Sequence, residues 1–319
     1  MTLDPRLNAY REDLADARLR GKVIAGRFVD GRPARVIVGR APVRRAPAAD
    51  ALLDTYYHYG EPVLVFEETG GWAWCQSFED GYVGYVDGSQ RAIGKPAEPT
   101  HFVATMGAYV YTEPDMKSPP ADFWPRHSAV VVAEHGIVTR GSDYARLDTG
   151  EFVPFGCLSE EPPRSADLAG AAERYLGCPY QWGGTSFFGI DCSGLVQNAF
   201  RDLGIIVLRD TDVQRDTIGE IVAVGSAAEL RRGDLLYMPG HVLIYAGDGV
   251  VIHASDATMS VRRQALAEFM AGRGFEIASF VVRRHPAAAL NPAETAPSSA
   301  AQYPPAGRSK RGHARGGAR

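Results

Sequence analysis

The chain has 319 residues, 45% of them hydrophobic and 23% charged, with a formal net charge of −4. That length can bury a sizeable core and predicts two or three domains, and the charge excludes a general attraction to nucleic acid or anionic membrane. The four cysteines (Cys75, Cys157, Cys178, Cys192) are too few and too scattered for a disulfide framework, and no apolar run approaches the ~18 residues of a membrane span.

Residues 1–28 read as a charged, helix-containing lead-in. The opening MTLDPRLNAYREDLADARLRGK has no apolar signal region, so a cytoplasmic location is expected, where a free thiol persists. Residues 29–95 carry short β-rich runs, Val36–Val38, Pro62–Phe66, Trp72–Cys75 and Tyr82–Val86, punctuated by Gly70-Gly71 and Asp80-Gly81. Such spacing predicts a small antiparallel barrel. A second set fills 96–160: Phe102–Met106, Tyr109–Tyr111, Ala129–Glu134, Ile137–Arg140, Tyr144–Leu147 and Phe152–Pro154. Weak echoes between the two sets suggest duplicated modules. Glu160-Glu161-Pro162-Pro163 then marks a linker into a third unit over 165–286. Beyond it, 287–319 is rich in Ala, Pro, Ser, Gly and Arg, which predicts a disordered basic tail, either solvated or in nonspecific contact with nucleic acid or acidic surfaces.

The chemistry lies in the third unit. Leu195, Val196, Ala199, Phe200 and Leu203 form one helical stripe, with Asp191 as N-cap and Gly204 as stop, so Cys192 opens a helix. The helix dipole and unpaired backbone N–H groups there favour a thiolate and can hold an oxyanion. Downstream, Leu235–Met238 reads as a strand, and His241–Ala246 and Val250–Ala254 as a hairpin turning at Gly247-Asp248-Gly249. Pairing Ala246 with Val250 puts His241 and His253 in diagonal positions on one face, about 7–8 Å apart at the backbone. One imidazole can take the thiol proton while the other orients it. The other readings are a buried inert thiol, hydrogen-bonded structural histidines, and a zinc pair, the last lacking any CxxC or HExxH spacing.

Cys178-Pro179-Tyr180-Gln181-Trp182-Gly183-Gly184, Asp191-Cys192-Ser193-Gly194, Leu208-Arg209-Asp210-Thr211, Gly233-Asp234-Leu235, Gly240-His241-Val242 and Ile252-His253-Ala254-Ser255 follow one another in the order found in NlpC/P60 cysteine peptidases. Residues 165–285 resemble that family, and Tyr59-Gly60-Glu61-Pro62-Val63, Gly71-Trp72 and Asp80–Val86 resemble a bacterial SH3-like domain. The resemblance implies an α+β molecule: a papain-like catalytic domain preceded by one or two small SH3-like barrels. It implies Cys192 as nucleophile, His241 as base, His253 as orienting residue and Tyr180 as an oxyanion aid. Asp191, Ser193, Asp210, Thr211 and Trp182 are implied to contact substrate, with Thr211 standing where serine is more usual. Glu61 and Tyr82 are implied to bind the ammonium of a peptide. Aromatic core remains the other reading of Tyr180, Trp182 and Tyr82, and an ordinary turn carboxylate that of Glu61. No cofactor or metal is implied.

The expected activity is hydrolysis of the γ-D-glutamyl–diamino acid bond in small peptidoglycan-derived peptides with a free N-terminal L-alanine, as in cell-wall recycling. Two other classes fit the same residues: a thiol acyltransferase on this scaffold, and a non-catalytic wall-peptide binding protein.

Overall fold

The computed structural model describes residues 3–88 and 93–289. Residues 290–319, most of the expected disordered tail, lie outside the described residues. Residues 286–289, which overlap its expected start, form a 3-10 turn that buries Ala288.

The lead-in holds no α-helix among its described residues. It makes two three-residue parallel strands, Leu14–Asp16 and Arg27–Val29, and a single 3-10 turn at Ala17–Leu19. Leu3, Leu7, Tyr10, Leu14 and Ala17 stand at helical spacing, but tertiary packing overrides that local preference. Instead Ala9 and Leu14 pack on Phe66 and Trp74 of the next unit.

That unit is a seven-stranded antiparallel sheet, in the order Leu53–His58, Arg40–Arg44, Val83–Asp87, Trp72–Ser77, Pro62–Thr69, Arg32–Val36, Ile93–Gly94. Its alternate side chains, including Ala34, Val43, Tyr57, Val65 and Cys75, meet in one core. The run expected at 36–38 falls at 32–36. No apolar run marks the strands at 40–44 and 53–58: Pro42 and the flanking arginines leave only Ala41 and Val43 inward on the first, and Thr55 and Tyr57 are inward on the second.

The second unit pairs a five-stranded sheet, in the order Pro120–Pro125, Gly107–Tyr111, Phe152–Pro154, Ser142–Leu147, Val132–Thr139, with a three-stranded one. The strand at 120–125 adds to the predicted runs, and one bulged strand through Gly136 replaces the two predicted at 129–134 and 137–140. Tyr59 of the first unit stacks on Trp124 at 3.5 Å inside the second unit's core, so the joint between them is packed.

The third unit is a six-stranded antiparallel sheet in the order Glu220–Ile221, Val281–Arg284, Leu235–Met238, His241–Gly247, Val250–Ser255, Ser260–Ala265. Helices α1 (Leu168–Glu173) and α2 (Cys192–Arg201) pack with Val242, Ile244 and Ile252 in one core. Strand alternation sends Leu243, Tyr245 and Val251 into a second core with Phe269. Two further helices complete it, α3 (Thr211–Thr217) and α4 (Leu266–Ala271).

Candidate active site

Cys192 is the first residue of α2 because Asp191 caps it, its Oδ1 accepting from Gly194 N at 2.8 Å. Such a cap is worth about 1 kcal/mol. The helix start lies against the Gly183-Gly184 loop so closely that a Cβ at Gly194 would meet the Gly184 carbonyl oxygen at 2.3 Å. Only glycine fits there, which ties the glycine of the Asp-Cys-Ser-Gly run to the glycines of the preceding loop.

Arg209 lies beneath this corner, 2% exposed, with its guanidinium bridging both oxygens of Asp191 at 3.0 and 2.5 Å. It also donates to Ser193 Oγ at 2.5 Å and to Thr55 Oγ1 of the first sheet at 3.0 Å. Asp191 further accepts from Gly183 N at 2.9 Å. Asp191 and Ser193 therefore line the cleft with side chains already engaged below it. Sequence reasoning gave Arg209 no role, and a buried partner for a buried carboxylate was the signal that could have found it.

The paired strands place Ile244 opposite Ile252 and Tyr245 opposite Val251, which is the register expected from Ala246 opposite Val250. Only the tip differs, where Gly247 pairs with Val250. His241 Nε2 and His253 Nδ1 consequently stand 3.0 Å apart. The buried ring of Phe269 lies against both imidazoles, with centroids at 6.3 and 5.4 Å. Burial pushes His241 and His253 down to about 4, and burial with the Asp191 carboxylate pushes the Cys192 thiol up to about 12. The thiolate expected from the helix terminus alone is therefore opposed by desolvation, and the thiol and the two imidazoles are all held neutral. Tyr180 is pushed up to about 12 by burial and the neighbouring Cys192, so its phenol stays a donor.

The cleft, about 330 Å³, has Cys192, Tyr180, Gly240 and the exposed Trp182 along its lining. Tyr82, Asp54, Asp210 and Thr211 line it as well, with Arg6 and Arg45. Tyr82 OH donates to Asp210 Oδ2 at 3.2 Å, and Arg6 Nη1 reaches the same oxygen at 2.8 Å. Asp54 is paired to Arg45 at 2.5 Å.

Glu61 requires a correction. It does not line the cleft. It is buried beside a separate small cavity with Asp80 and Arg201, accepting from His58 N at 2.9 Å and Ser77 Oγ at 2.6 Å. Desolvation, then Glu79 and Asp80, raise its pKa well above the ordinary carboxylate value. The acid of the first sheet that lines the cleft is Asp54, on one of the two strands the sequence did not reveal.

Residues 177–275 match the NlpC/P60 family, and residues 43–90 match the bacterial dipeptidyl-peptidase Sh3 domain. The chain is 28% identical over 236 residues to the gamma-D-glutamyl-L-lysine dipeptidyl-peptidase of Bacillus cereus (strain ATCC 10987 / NRS 248), covering 66% of this chain and 69% of that one. Against the protein of the same name from Bacillus subtilis (strain 168), identity is 26% over 238 residues, covering 69% and 78%. A crystal structure of an NlpC/P60 family protein from Bacillus cereus ATCC 10987 shares the fold with a TM-score of 0.64 at 22% identity, covering 80% of this chain and 99% of that one.

Proposed function

We propose, from the NlpC/P60 peptidase domain that this chain carries behind a bacterial dipeptidyl-peptidase SH3 domain, that the protein hydrolyses the γ-D-glutamyl–diamino acid bond of peptidoglycan-derived peptides bearing a free N-terminal L-alanine. One observation carries the reading. A single cleft has Cys192 and Tyr180 in its wall together with Asp54, Tyr82 and Asp210. A substrate ammonium paired with those acids would set the distance from the peptide's N-terminus to the bond at Cys192.

In this mechanism the Cys192 thiol gives its proton to His241 as sulfur attacks the glutamyl carbonyl carbon. The oxyanion takes hydrogen bonds from the Tyr180 phenol and the Cys192 N–H. His241 returns the proton to the departing amine, leaving a thioester. Water, deprotonated by His241, then releases the acid and restores the thiol. His253 holds the ring of His241 throughout. The four cysteines are free thiols, which supports a cytoplasmic, wall-recycling setting as part of the same proposal.

Incubation with L-Ala-γ-D-Glu-diaminopimelate should yield L-Ala-D-Glu and the free diamino acid by mass, and Cys192→Ala should abolish turnover while leaving the melting temperature within a few degrees. Cleavage that persists in Cys192→Ala, or products carrying an added amine in place of water, would defeat the hydrolase reading.

A further inference from the structure

The imidazole pair does not end at His253. Gln264, on the strand Ser260–Ala265, places Oε1 3.2 Å from His253 Nε2. The register dictates this contact. His253 lies opposite Arg262 and Val251 opposite Gln264, so Gln264 is the diagonal neighbour of His253 on the same face. His241 stands diagonal to His253 on the other side. Three adjacent strands thus carry a row of three polar side chains leading away from Cys192.

The chemistry of the last member gives the row a direction. A carboxamide oxygen only accepts, so the proton of neutral His253 sits on Nε2 and its Nδ1 is left with a lone pair. That lone pair accepts His241 Nε2–H across 3.0 Å. The remaining nitrogen of His241, Nδ1, then has no proton and is free to take one from the thiol. If the amide were turned, its NH₂ would donate to His253 Nε2 and every bond would reverse, leaving His241 protonated on Nδ1 and unable to act as base.

We propose that Gln264 is the positioning residue that sets the tautomer of His253, and through it the tautomer that makes His241 a base. The role rests on Cys192 and His241 acting as nucleophile and base. It also explains an amide at this position. The charged groups acting on the pair are Arg262, Arg273 and Asp256, with Asp191 acting on His241. A carboxylate in place of Gln264 would add a negative charge against His253 and favour imidazolium, whereas the amide orients the ring and leaves the relay neutral at rest.

The full-length protein, labelled with ¹⁵N, tests this without any peptide substrate. Two-bond ¹H–¹⁵N correlation at pH 7 should show both His253 and His241 as Nε2–H tautomers. Alkylation of Cys192 by iodoacetamide, corrected with Cys192→Ala for the other thiols, should slow about tenfold in Gln264→Leu and recover to within about threefold in Gln264→Glu. The acid limb of the Gln264→Glu alkylation profile should move to higher pH. An Nδ1–H tautomer at His253 overturns the proposal. So does a Gln264→Leu rate equal to wild type, or an equal loss in both variants with an unmoved pH profile. If Gln264→Leu does not fold, the wild-type tautomers and the Gln264→Glu profile decide. Loss of peptide hydrolysis with the expected tautomers would count against the substrate assignment, not against Gln264.

Discussion

At the scale of single residues, two carboxylates of the first unit, Asp54 on a strand and Glu61 in the turn after it, show how burial separates function from support. Glu61 is sealed between His58 N and Ser77 Oγ and serves the fold. Asp54 lines the cleft, and its partner Arg45 is 66% exposed and able to swing aside for a competing cation. An ammonium–carboxylate hydrogen bond is worth about 1.5–3 kcal/mol, or roughly 10–150-fold in kcat/KM. Asp54→Asn should therefore cost about that factor on the free-amine tripeptide and much less on its N-acetylated form. Equal losses on both peptides would remove Asp54 from the ammonium site. The Asp191–Arg209 pair belongs to the other class, because removing one partner leaves an uncompensated charge in the floor of the cleft.

At the scale of elements, α2 is held at both ends. Asp191 caps its start, and buried Asp202 follows its last residue. Asp202 accepts from Arg126 Nε at 2.9 Å and from His127 Nε2 at 2.6 Å, both donors coming from the second unit. His127 adopts a φ of 70°, a conformation that L side chains rarely take and that these contacts hold in place. Burial pushes His127 down to about 4. An unfolded histidine takes a proton near pH 6.5, so between about pH 6.5 and 4 the unfolded state binds more protons than the folded one and stability falls as pH falls. Burial pulls Asp202 up, but the hydrogen bonds from His127 and Arg126 outweigh it and hold the carboxyl below its ordinary value, which adds a loss in the same direction at still lower pH. The melting temperature should drop from pH 7 to 4.5, and His127→Gln, though less stable at pH 7, should show a shallower drop by calorimetry. Parallel curves for the two proteins would place the titration elsewhere.

At the scale of the whole molecule, the cleft is composite. The lead-in supplies Arg6, the first unit supplies Arg45, Asp54 and Tyr82, and the third unit supplies the thiol. Cross-links beneath it join the first sheet to the third unit, such as Gln181 Nε2 to Tyr56 OH at 2.8 Å and Thr185 Oγ1 with His58 Nε2 at 2.9 Å. Arg6 binds three carboxylates at once, Asp4, Asp210 and Asp212, at 2.7 to 2.8 Å. Without it, Asp210 and Asp212 would face each other's charge. Arg6→Ala should raise KM for the tripeptide several-fold while Cys192 alkylation keeps its wild-type rate. A matching loss in alkylation would mean that the lead-in acts on the nucleophile itself.

The local chemistry was legible in the chain alone. Asp191 as cap, Cys192 as first helical residue and the register that joins His241 to His253 all depend on neighbours a few residues apart or on a short hairpin, where periodicity and turn signals suffice. Tertiary structure alone decided that Asp54 rather than Glu61 lines the cleft, that Arg209 lies under Asp191, that Arg6 closes one wall, and that Gln264 ends the imidazole row. Each depends on which way a side chain points from a strand, on a contact between units far apart in sequence, or, for Arg209, on how a loop folds back under α2. A one-residue change of register reverses the first, and no local pattern encodes the second.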